Sequence, residues 1–172
     1  MFTNKFYNTY KKQKYSQHGE DGILEELLKR LNITNGWVCE FGAWDGIHLS
    51  NTFSLIEKGF QGVFIEGDNE KFKDLLKTVD KFNNIIPINK YVSHISDDNN
   101  SLDSILENTD IPKNFDILSI DIDSFDYQIW DSLQNYRPKI VVIEINSFAD
   151  TNNTDWIHNN PINANDGERY PL

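Results

Sequence analysis

The sequence predicts an α/β fold, with a mostly parallel β-sheet covered by helices on both faces. Short apolar segments alternate with segments of helical periodicity along most of the chain. The apolar segments are near-continuous runs of Val, Ile, Leu and Phe, as expected for parallel strands that are buried on both sides. The first of them leads into a turn bracketed by Gly42 and Gly46, which is typical of a strand that ends at a ligand-binding loop.

The expected elements follow one another in a regular order. Apolar residues at helical spacing predict helices over 21–31, 49–58, 70–82, 101–106 and 125–133. The apolar runs between them predict strands over 37–41, 62–66, 84–88, 115–122 and 139–145. Because Pro87 has no N–H to donate, we expect the third strand at a sheet edge. The fifth strand, rich in Val and Ile, is expected to be fully buried.

Local signals support several of these boundaries. Gly59 lies where a left-handed residue would close the second helix, and Ser101 lies where a side chain would cap the helix that follows it. In the helix over 70–82, four apolar residues are expected to face the core: Phe72, Leu75, Leu76 and Val79.

Composition limits the classes of protein to consider. The length of 172 residues suits one domain, and 38% hydrophobic residues indicate a folded chain. The net charge of −11 argues against binding to duplex nucleic acid. No apolar run approaches the ~20 residues of a membrane-spanning helix. Cys39, the one cysteine, excludes an internal disulfide and suits the reducing cytoplasm, where we expect the protein to reside.

Charge is distributed unevenly along the chain. Residues 1–17 contain four lysines and no acidic residue, so the remainder is more acidic than the whole. Because charged runs are usually exposed, we interpret this segment as a solvated or self-docking arm. An alternative is that the arm binds an anionic substrate or surface.

Two acidic residues at strand ends indicate a nucleotide site. Glu66 ends the second strand about 24 residues after Gly42, close to the ~20-residue spacing at which a carboxylate binds a ribose hydroxyl in βαβ folds. Glu40 ends the first strand and would direct a carboxylate towards the same ligand. The glycines allow a close approach of that ligand to the backbone.

Five motifs in order carry a family resemblance. They are YSQHGEDGIL (15–24), EFGAWDGIHLSNT (40–52), VFIEG (63–67), DILSIDIDSFDYQIW (116–130) and VVIEIN (141–146). Together they resemble the FkbM-type branch of the S-adenosylmethionine-dependent methyltransferases. The resemblance covers about Tyr15 to Asn146 and implies a Rossmann-like class I methyltransferase fold. With the basic arm at 1–17 and a C-terminal segment at 147–172 whose Asn- and Asp-rich composition indicates a polar tail or lid, it places the cofactor-binding domain at 18–146.

The resemblance also implies roles for individual residues. The glycine turn would hold the methionine part of S-adenosylmethionine through Glu40, Gly42, Ala43 and Gly46. Glu66 would bind the ribose, and Asp121 would face the reacting methyl group. The loop after strand three would flank adenine through Tyr91, Val92 and Ser93. The leading motif would close over cofactor or substrate through Gln17, Glu20 and Asp21.

The implied reaction is methylation of an oxygen on a sugar, glycan or natural-product hydroxyl. Such an acceptor needs a group to take its proton, and the candidates are Asp121, Asp123, Asp126, Glu144 and His18. Geometry favours Asp121 or Asp123, with Glu144 on the next strand. Asp126 is expected to be a cap or a solvated residue, and a lone histidine such as His18 is more often packed or exposed than catalytic.

A divalent metal such as Mg²⁺ is a second possibility at these strand ends. Asp121, Glu144 and Asn146 would supply the hard oxygen ligands that Mg²⁺ favours. The alternative is that these groups accept backbone hydrogen bonds. The sequence leaves both readings open.

The sequence departs from the family pattern at two places, and two other functions are alternatives to methyl transfer. Ser124 replaces a glycine that the family often has, and no convincing strand follows Asn146, where the family's sheet normally ends in an antiparallel hairpin. A truncated, non-catalytic module is therefore an alternative, acting as a homodimer or with a partner chain at an open sheet edge. An NAD-dependent oxidoreductase is a further alternative, although the turn GAWDG lacks the middle glycine of that fingerprint.

Overall fold

A five-stranded parallel sheet forms the centre of the molecule in the computed structural model, which describes residues 5–122 and 125–144. The strands are β1 (Trp37–Phe41), β2 (Gln61–Ile65), β3 (Ile85–Ile88), β4 (Ile117–Ile120) and β5 (Ile140–Ile143), in the spatial order β3-β2-β1-β4-β5. All four neighbouring pairs are parallel. The predicted fold class is therefore confirmed. The described residues do not include Asp123, Ser124, Asn146 or the tail 147–172. The prediction that no strand follows Asn146 therefore stays a prediction.

Helices cover both faces of the sheet. They are α1 (Lys5–Tyr10), α2 (Glu20–Arg30), α3 (Phe53–Ile56), α4 (Asn69–Val79), α5 (Leu102–Leu106) and α6 (Asp126–Ser132). Apolar residues of α2, α3 and α4 share one buried cluster with Val38, Phe64 and Ile117 of the strands. Those of α5 and α6 share a second cluster with the alternate strand residues, such as Cys39 and Phe41. This alternation follows from the two-residue period of a strand.

Several local predictions are confirmed. β3, which contains Pro87, is an edge strand. Gly59 takes φ +94° after α3, in the left-handed region that glycine tolerates. The side chain of Ser101 accepts a hydrogen bond from the Ser104 amide and caps α5.

The helix expected over 49–58 is wrong in extent, because α3 covers only Phe53–Ile56. The side chain of Asp45 accepts hydrogen bonds from the amides of Ile47 and His48. Leu49 takes φ +57°, which a right-handed helix cannot accommodate. The chain therefore forms turns up to Thr52 before the helix begins.

Two expectations about burial are also wrong. Leu76 is 41% exposed, and Thr78 is the buried residue of that last turn, donating its hydroxyl to the carbonyl of Asp45. β5 is half-buried along its length. Within the described residues β5 pairs only with β4, so it lacks the second neighbour that would bury it.

The N-terminal segment packs against the domain. Backbone hydrogen bonds join Lys12 to Gly19 and Gly22, and a Cβ at Gly22 would lie 2.1 Å from the carbonyl oxygen of Tyr10. Lys14 forms an ion pair with Glu57. The six described helices include none with the length and hydrophobicity that a membrane span requires.

Candidate active site

The carboxyl edge of the sheet brings five sequence positions into one row. The last residues of the five strands lie in register with one another, and each of the five positions is the residue that comes next in its strand. In spatial order across the sheet they are Asn89, Glu66, Gly42, Asp121 and Glu144. Neighbouring strands lie about 4.8 Å apart, so Glu66 and Asp121 start about 10 Å from each other across the glycine turn. Ligands of open parallel sheets bind at this edge, beside the point where the strand order reverses.

Gly42 lies at that reversal point, between β1 and its neighbour β4. It takes φ +76°, and a Cβ built on it would lie 2.0 Å from the backbone carbonyl oxygen of Asp121. No side chain fits there. The backbone after β1 therefore packs directly against the backbone after β4 at Gly42, and only a residue without a Cβ allows this contact.

Glu66 is the buried carboxylate of the row, whereas Asp121 and Glu144 are exposed. It is 6% exposed, and its two oxygens accept backbone hydrogen bonds of 2.8 Å, one from Trp44 and one from Asp68. A carboxylate oxygen has two lone-pair sites, so each oxygen keeps one for a further donor. Asn89 adds a hydrogen bond from its side-chain amide to the backbone carbonyl of Glu66. The arrangement suits a ligand that presents two hydroxyl groups.

One residue of the predicted adenine loop, Tyr91, packs beside Glu66. The ring of Tyr91 packs on Gly67, since a Cβ there would lie 2.0 Å from the ring, and Tyr91 remains 40% exposed. Burial raises the pKa of Tyr91, and the charges of Asp68 and Glu66 raise it further. Val92 packs against the core, and the Ser93 hydroxyl accepts a hydrogen bond from the amide of Ile95.

Glu40 makes different contacts from those expected of a ligand-facing residue. It is 5% exposed, and one carboxylate oxygen accepts from the hydroxyls of Ser50 and Thr52 and from the amide of Thr52. Burial raises the pKa of Glu40, and those hydrogen bonds oppose the rise. In this structure Glu40 supports the loop before α3. Its predicted contact with the cofactor remains a prediction.

The leading motif is anchored by Asp21, which is 1% exposed. One of its oxygens accepts from the amides of Lys14, Tyr15 and Ser16 and from the Ser16 hydroxyl. Burial favours a higher pKa for Asp21, but these hydrogen bonds outweigh it, and the pKa is lowered.

Ser16 in turn forms a parallel bridge with Leu49. The motif thus supports the loop that follows the glycine turn. Gln17 is exposed, and Glu20 accepts from the amide of His18. Closure of Gln17, Glu20 and Asp21 over a ligand stays a prediction.

The β4–β5 side of the row is exposed to solvent. Asp121 and Glu144 are both exposed, and they start on adjacent strands, with the amide of Glu144 donating to the carbonyl of Ile120. Asp126, predicted as a cap or a solvated residue, is neither. It is 7% exposed and accepts from the amide of Ile122, while Phe125 occupies the N-cap position of α6. Asp126 therefore holds the backbone just after Asp121.

A metal site finds no support in the described part of the chain. No three His, Cys, Asp or Glu residues there lie close enough to hold a metal ion. The proposed ligand set included Asn146, which lies outside the described residues. His18, the candidate base before α2, is exposed.

Sequence reasoning missed three residues of this edge. Trp44 donates its amide to Glu66, Asn89 binds the backbone of Glu66, and Asn51 donates its side-chain amide to the hydroxyl of Ser119 in β4. Asn51 belongs to the SNT sequence quoted above, which was a usable signal. Nothing in the local sequence marked Asn89, because its role depends on the pairing of β2 with β3.

Comparison with known proteins gives one family. The model of the methyltransferase FkbM domain matches residues 47–161 of the 172-residue chain. No curated protein gives a match.

Among solved structures, the chain resembles M. capricolum TrmK in complex with S-adenosylhomocysteine, at 20% identity and TM-score 0.45, covering 69% of this chain and 47% of that one. It also resembles a SAM-dependent methyltransferase from Aquifex aeolicus, at 13% identity and TM-score 0.43, covering 80% and 69%. The chain spans about half the length of several structures that it matches. Likenesses this distant assign neither substrate nor site.

Proposed function

Because the chain belongs to the FkbM methyltransferase domain family, we propose that it is an S-adenosylmethionine-dependent methyltransferase. The observation that carries the proposal is the fixed carboxylate of Glu66, held by the amides of Trp44 and Asp68 beside the glycine turn. When bound, S-adenosylmethionine supplies a methyl group activated by a positively charged sulfur. The protein's task is then to bind, align and exclude water.

We assign the cofactor to the β1–β2 half of the row. Glu66 accepts hydrogen bonds from the ribose hydroxyls with its remaining lone pairs. Tyr91, which packs on Gly67, lines the adenine side together with Val92 and Ser93. The turn from Gly42 to Gly46, with buried Ala43, takes the methionine part. Glu40 contacts the methionine part together with this turn, and the leading motif closes over cofactor or substrate through Gln17, Glu20 and Asp21.

We assign the acceptor to the β4–β5 half. Asp121 would take the proton of the acceptor hydroxyl when the methyl group passes from sulfur to that oxygen, which breaks the methyl–sulfur bond and leaves S-adenosylhomocysteine; Asp123 and Glu144 are the other candidate acids. Exposure of Asp121 and Glu144 favours this role, since a general base must be reachable by a substrate. The acceptor class that we propose is a hydroxyl of a sugar, glycan or natural product.

Four finer points are part of the same proposal. The basic arm (1–17) and polar tail (147–172) flank the catalytic domain, and the protein acts in the cytoplasm. A homodimer or partner chain pairs at the β5 edge, because β5 has one described neighbour. Mg²⁺ assists only if Asn146 completes a site with Asp121 and Glu144, and activity that persists in EDTA would remove it from the scheme.

Calorimetric titration tests the central claim. S-adenosylmethionine and S-adenosylhomocysteine are titrated into the purified chain, its Glu66→Ala variant and a Glu70→Ala control, whose acid is exposed on α4. We expect micromolar binding, about −8 kcal/mol, to the wild type and the control. Glu66→Ala should lose at least about tenfold in affinity. Folded wild-type protein that binds neither ligand would contradict the proposal.

If binding is established, a screen of hydroxyl acceptors follows. Transfer of a radiolabelled methyl group to sugars, oligosaccharides and hydroxylated natural products is measured with and without EDTA. Transfer to nitrogen acceptors only would retain the cofactor assignment and overturn the oxygen assignment.

A further inference from the structure

Trp44 has an unusual backbone conformation at the centre of the glycine turn. Its φ of +45° lies in the left-handed region, which bulky side chains rarely occupy. Its side chain is 41% exposed, so burial of the indole does not account for the conformation. Strained residues of this kind persist where surrounding contacts hold them, and they are concentrated at functional sites.

The backbone of Trp44 acts on Glu66. Its amide donates a 2.8 Å hydrogen bond to one carboxylate oxygen, and the amide of Asp68 donates an equal bond to the other. The two amides come from different segments, the turn after β1 and the loop after β2. The orientation of the Glu66 carboxylate therefore depends on how these two segments are held relative to each other.

The indole ring supplies such a connection. Lys71 places its ammonium 5.4 Å from the ring centroid, and the ring of His48 meets the indole edge-on at 5.0 Å. Trp44 is also among the groups that lower the pKa of Asp74, after the larger effect of Lys77. Lys71 and Asp74 lie on α4, which begins directly after Asp68. The ring thus ties the glycine turn to the helix that follows the second amide.

We propose that Trp44 is a positioning residue that presets the carboxylate of Glu66 for the two hydroxyls of a ribose. This inference rests on the proposed function. The contacts of the ring with α4 keep Trp44 in the left-handed conformation, and that conformation aims its amide at Glu66. The remaining lone pairs of the carboxylate then point to one side, where a ribose diol can donate to both.

Trp44→Gly is the sharpest variant, because glycine keeps the amide and tolerates the left-handed backbone while removing the ring. Affinity is measured by calorimetry for S-adenosylhomocysteine and for its 2′-deoxyribose analogue, which lacks one hydroxyl of the diol. We expect Trp44→Gly to weaken S-adenosylhomocysteine about tenfold and the deoxy analogue less than about threefold. Trp44→Phe, which keeps a ring above Lys71, should recover most of the affinity.

Trp130→Ala is the matched control, since Trp130 is 42% exposed on α6 and its ring meets that of Tyr127 edge-on. It should bind both ligands as the wild type does. Lys71→Met is a second variant that leaves the turn sequence intact, and it should weaken S-adenosylhomocysteine about threefold, again more than the deoxy analogue.

The outcomes separate the two levels of inference. Equal weakening of both ligands would mean that Trp44 only maintains the fold, and unchanged affinities would mean that the ring has no part; either result overturns the inference while the proposed function stands. Wild-type protein that binds neither ligand would overturn both.

Discussion

The two halves of the carboxyl edge differ in how far their acidic residues are buried. In the β1–β2 half, Glu40 and Glu66 are 5% and 6% exposed and accept hydrogen bonds from the protein itself. In the β4–β5 half, Asp121 and Glu144 are exposed. A site that always binds the same cofactor gains from preset groups, because little ordering is left to be done on binding. A site that must admit a second substrate and take its proton needs carboxylates that remain accessible.

Gly42 joins the halves, so its substitution should have the largest effect on stability. In Gly42→Ala the new Cβ would meet the carbonyl oxygen of Asp121 at 2.0 Å, and alanine would also be strained at φ +76°. We expect a loss of about 3 kcal/mol or more in the free energy of unfolding, together with loss of cofactor binding. Urea denaturation measures the first and calorimetry the second.

Gly59→Ala is the control for backbone strain alone. Its φ is +94°, but a Cβ there would have nothing within 4 Å. It should lose about 1 kcal/mol and bind cofactor normally. Equal losses in the two variants would show that the contact with Asp121 does not matter.

Glu40 should contribute the next largest effect. Glu40→Ala leaves two buried hydroxyls, those of Ser50 and Thr52, without their acceptor and opens a cavity. We expect a loss of about 2–3 kcal/mol, measured by urea denaturation. Glu40→Gln retains one acceptor oxygen and should lose less. A variant as stable as the wild type would show that the loop before α3 is held by other contacts.

Asp21 and Glu40 should respond to pH in opposite directions. The pKa of Asp21 is lowered, so its stabilisation is present above the ordinary value of 3.8 and is lost as pH falls through its folded-state pKa. Asp21→Asn should therefore cost about 1–2 kcal/mol at pH 7, and the difference should shrink below about pH 4. Unfolding free energies of both proteins between pH 7 and pH 2 test this.

For Glu40 the sign reverses because burial raises its pKa. The folded state then holds its proton more tightly than the unfolded state, so the wild type loses stability relative to Glu40→Gln as pH rises above the ordinary value of 4.5. Parallel pH profiles for Asp21→Asn and Glu40→Gln would contradict the assigned causes.

The exposed acids of the acceptor half should have the smallest effect on stability. Asp121→Asn and Glu144→Gln keep the size of the side chain, and both residues are exposed. We expect changes within about 0.5 kcal/mol. Methyl transfer should fall about 100-fold in Asp121→Asn, with cofactor affinity retained. A variant with full activity would remove Asp121 as the proton acceptor.

Much of the fold could be predicted from local sequence patterns. The five strands, the edge position of the strand with Pro87 and the cap at Ser101 follow from periodicity and from the hydrogen-bonding capacity of single residues. The helix predicted over 49–58 begins later, as α3 (Phe53–Ile56), because the signal that delays its start is conformational. Leu49 takes a left-handed φ directly after the turns held by Asp45 and at the bridge to Ser16, and local sequence does not show either contact.

The candidate site was predicted only by position along the chain. Glu66 and Asp121 were identified because acids at the ends of apolar strands meet at one edge of a parallel sheet. The partners of each acid could not be read from the sequence, since they come from segments far apart in the chain. Asp21 and Glu40 are buried and accept hydrogen bonds from the backbone of nearby loops. Asp126 is also buried and accepts from the amide of Ile122, just after Asp121.

The sequence by itself determined the parallel sheet, its two helical layers and the family, because strand and helix periods and motif order are properties of neighbouring residues. Only the tertiary structure decided which acids are enclosed and which face solvent. It also decided that the amide of Trp44 reaches Glu66. The physical reason is that burial and hydrogen bonding depend on which strands become neighbours, and β1 meets β2 and β4 only when the whole chain has folded.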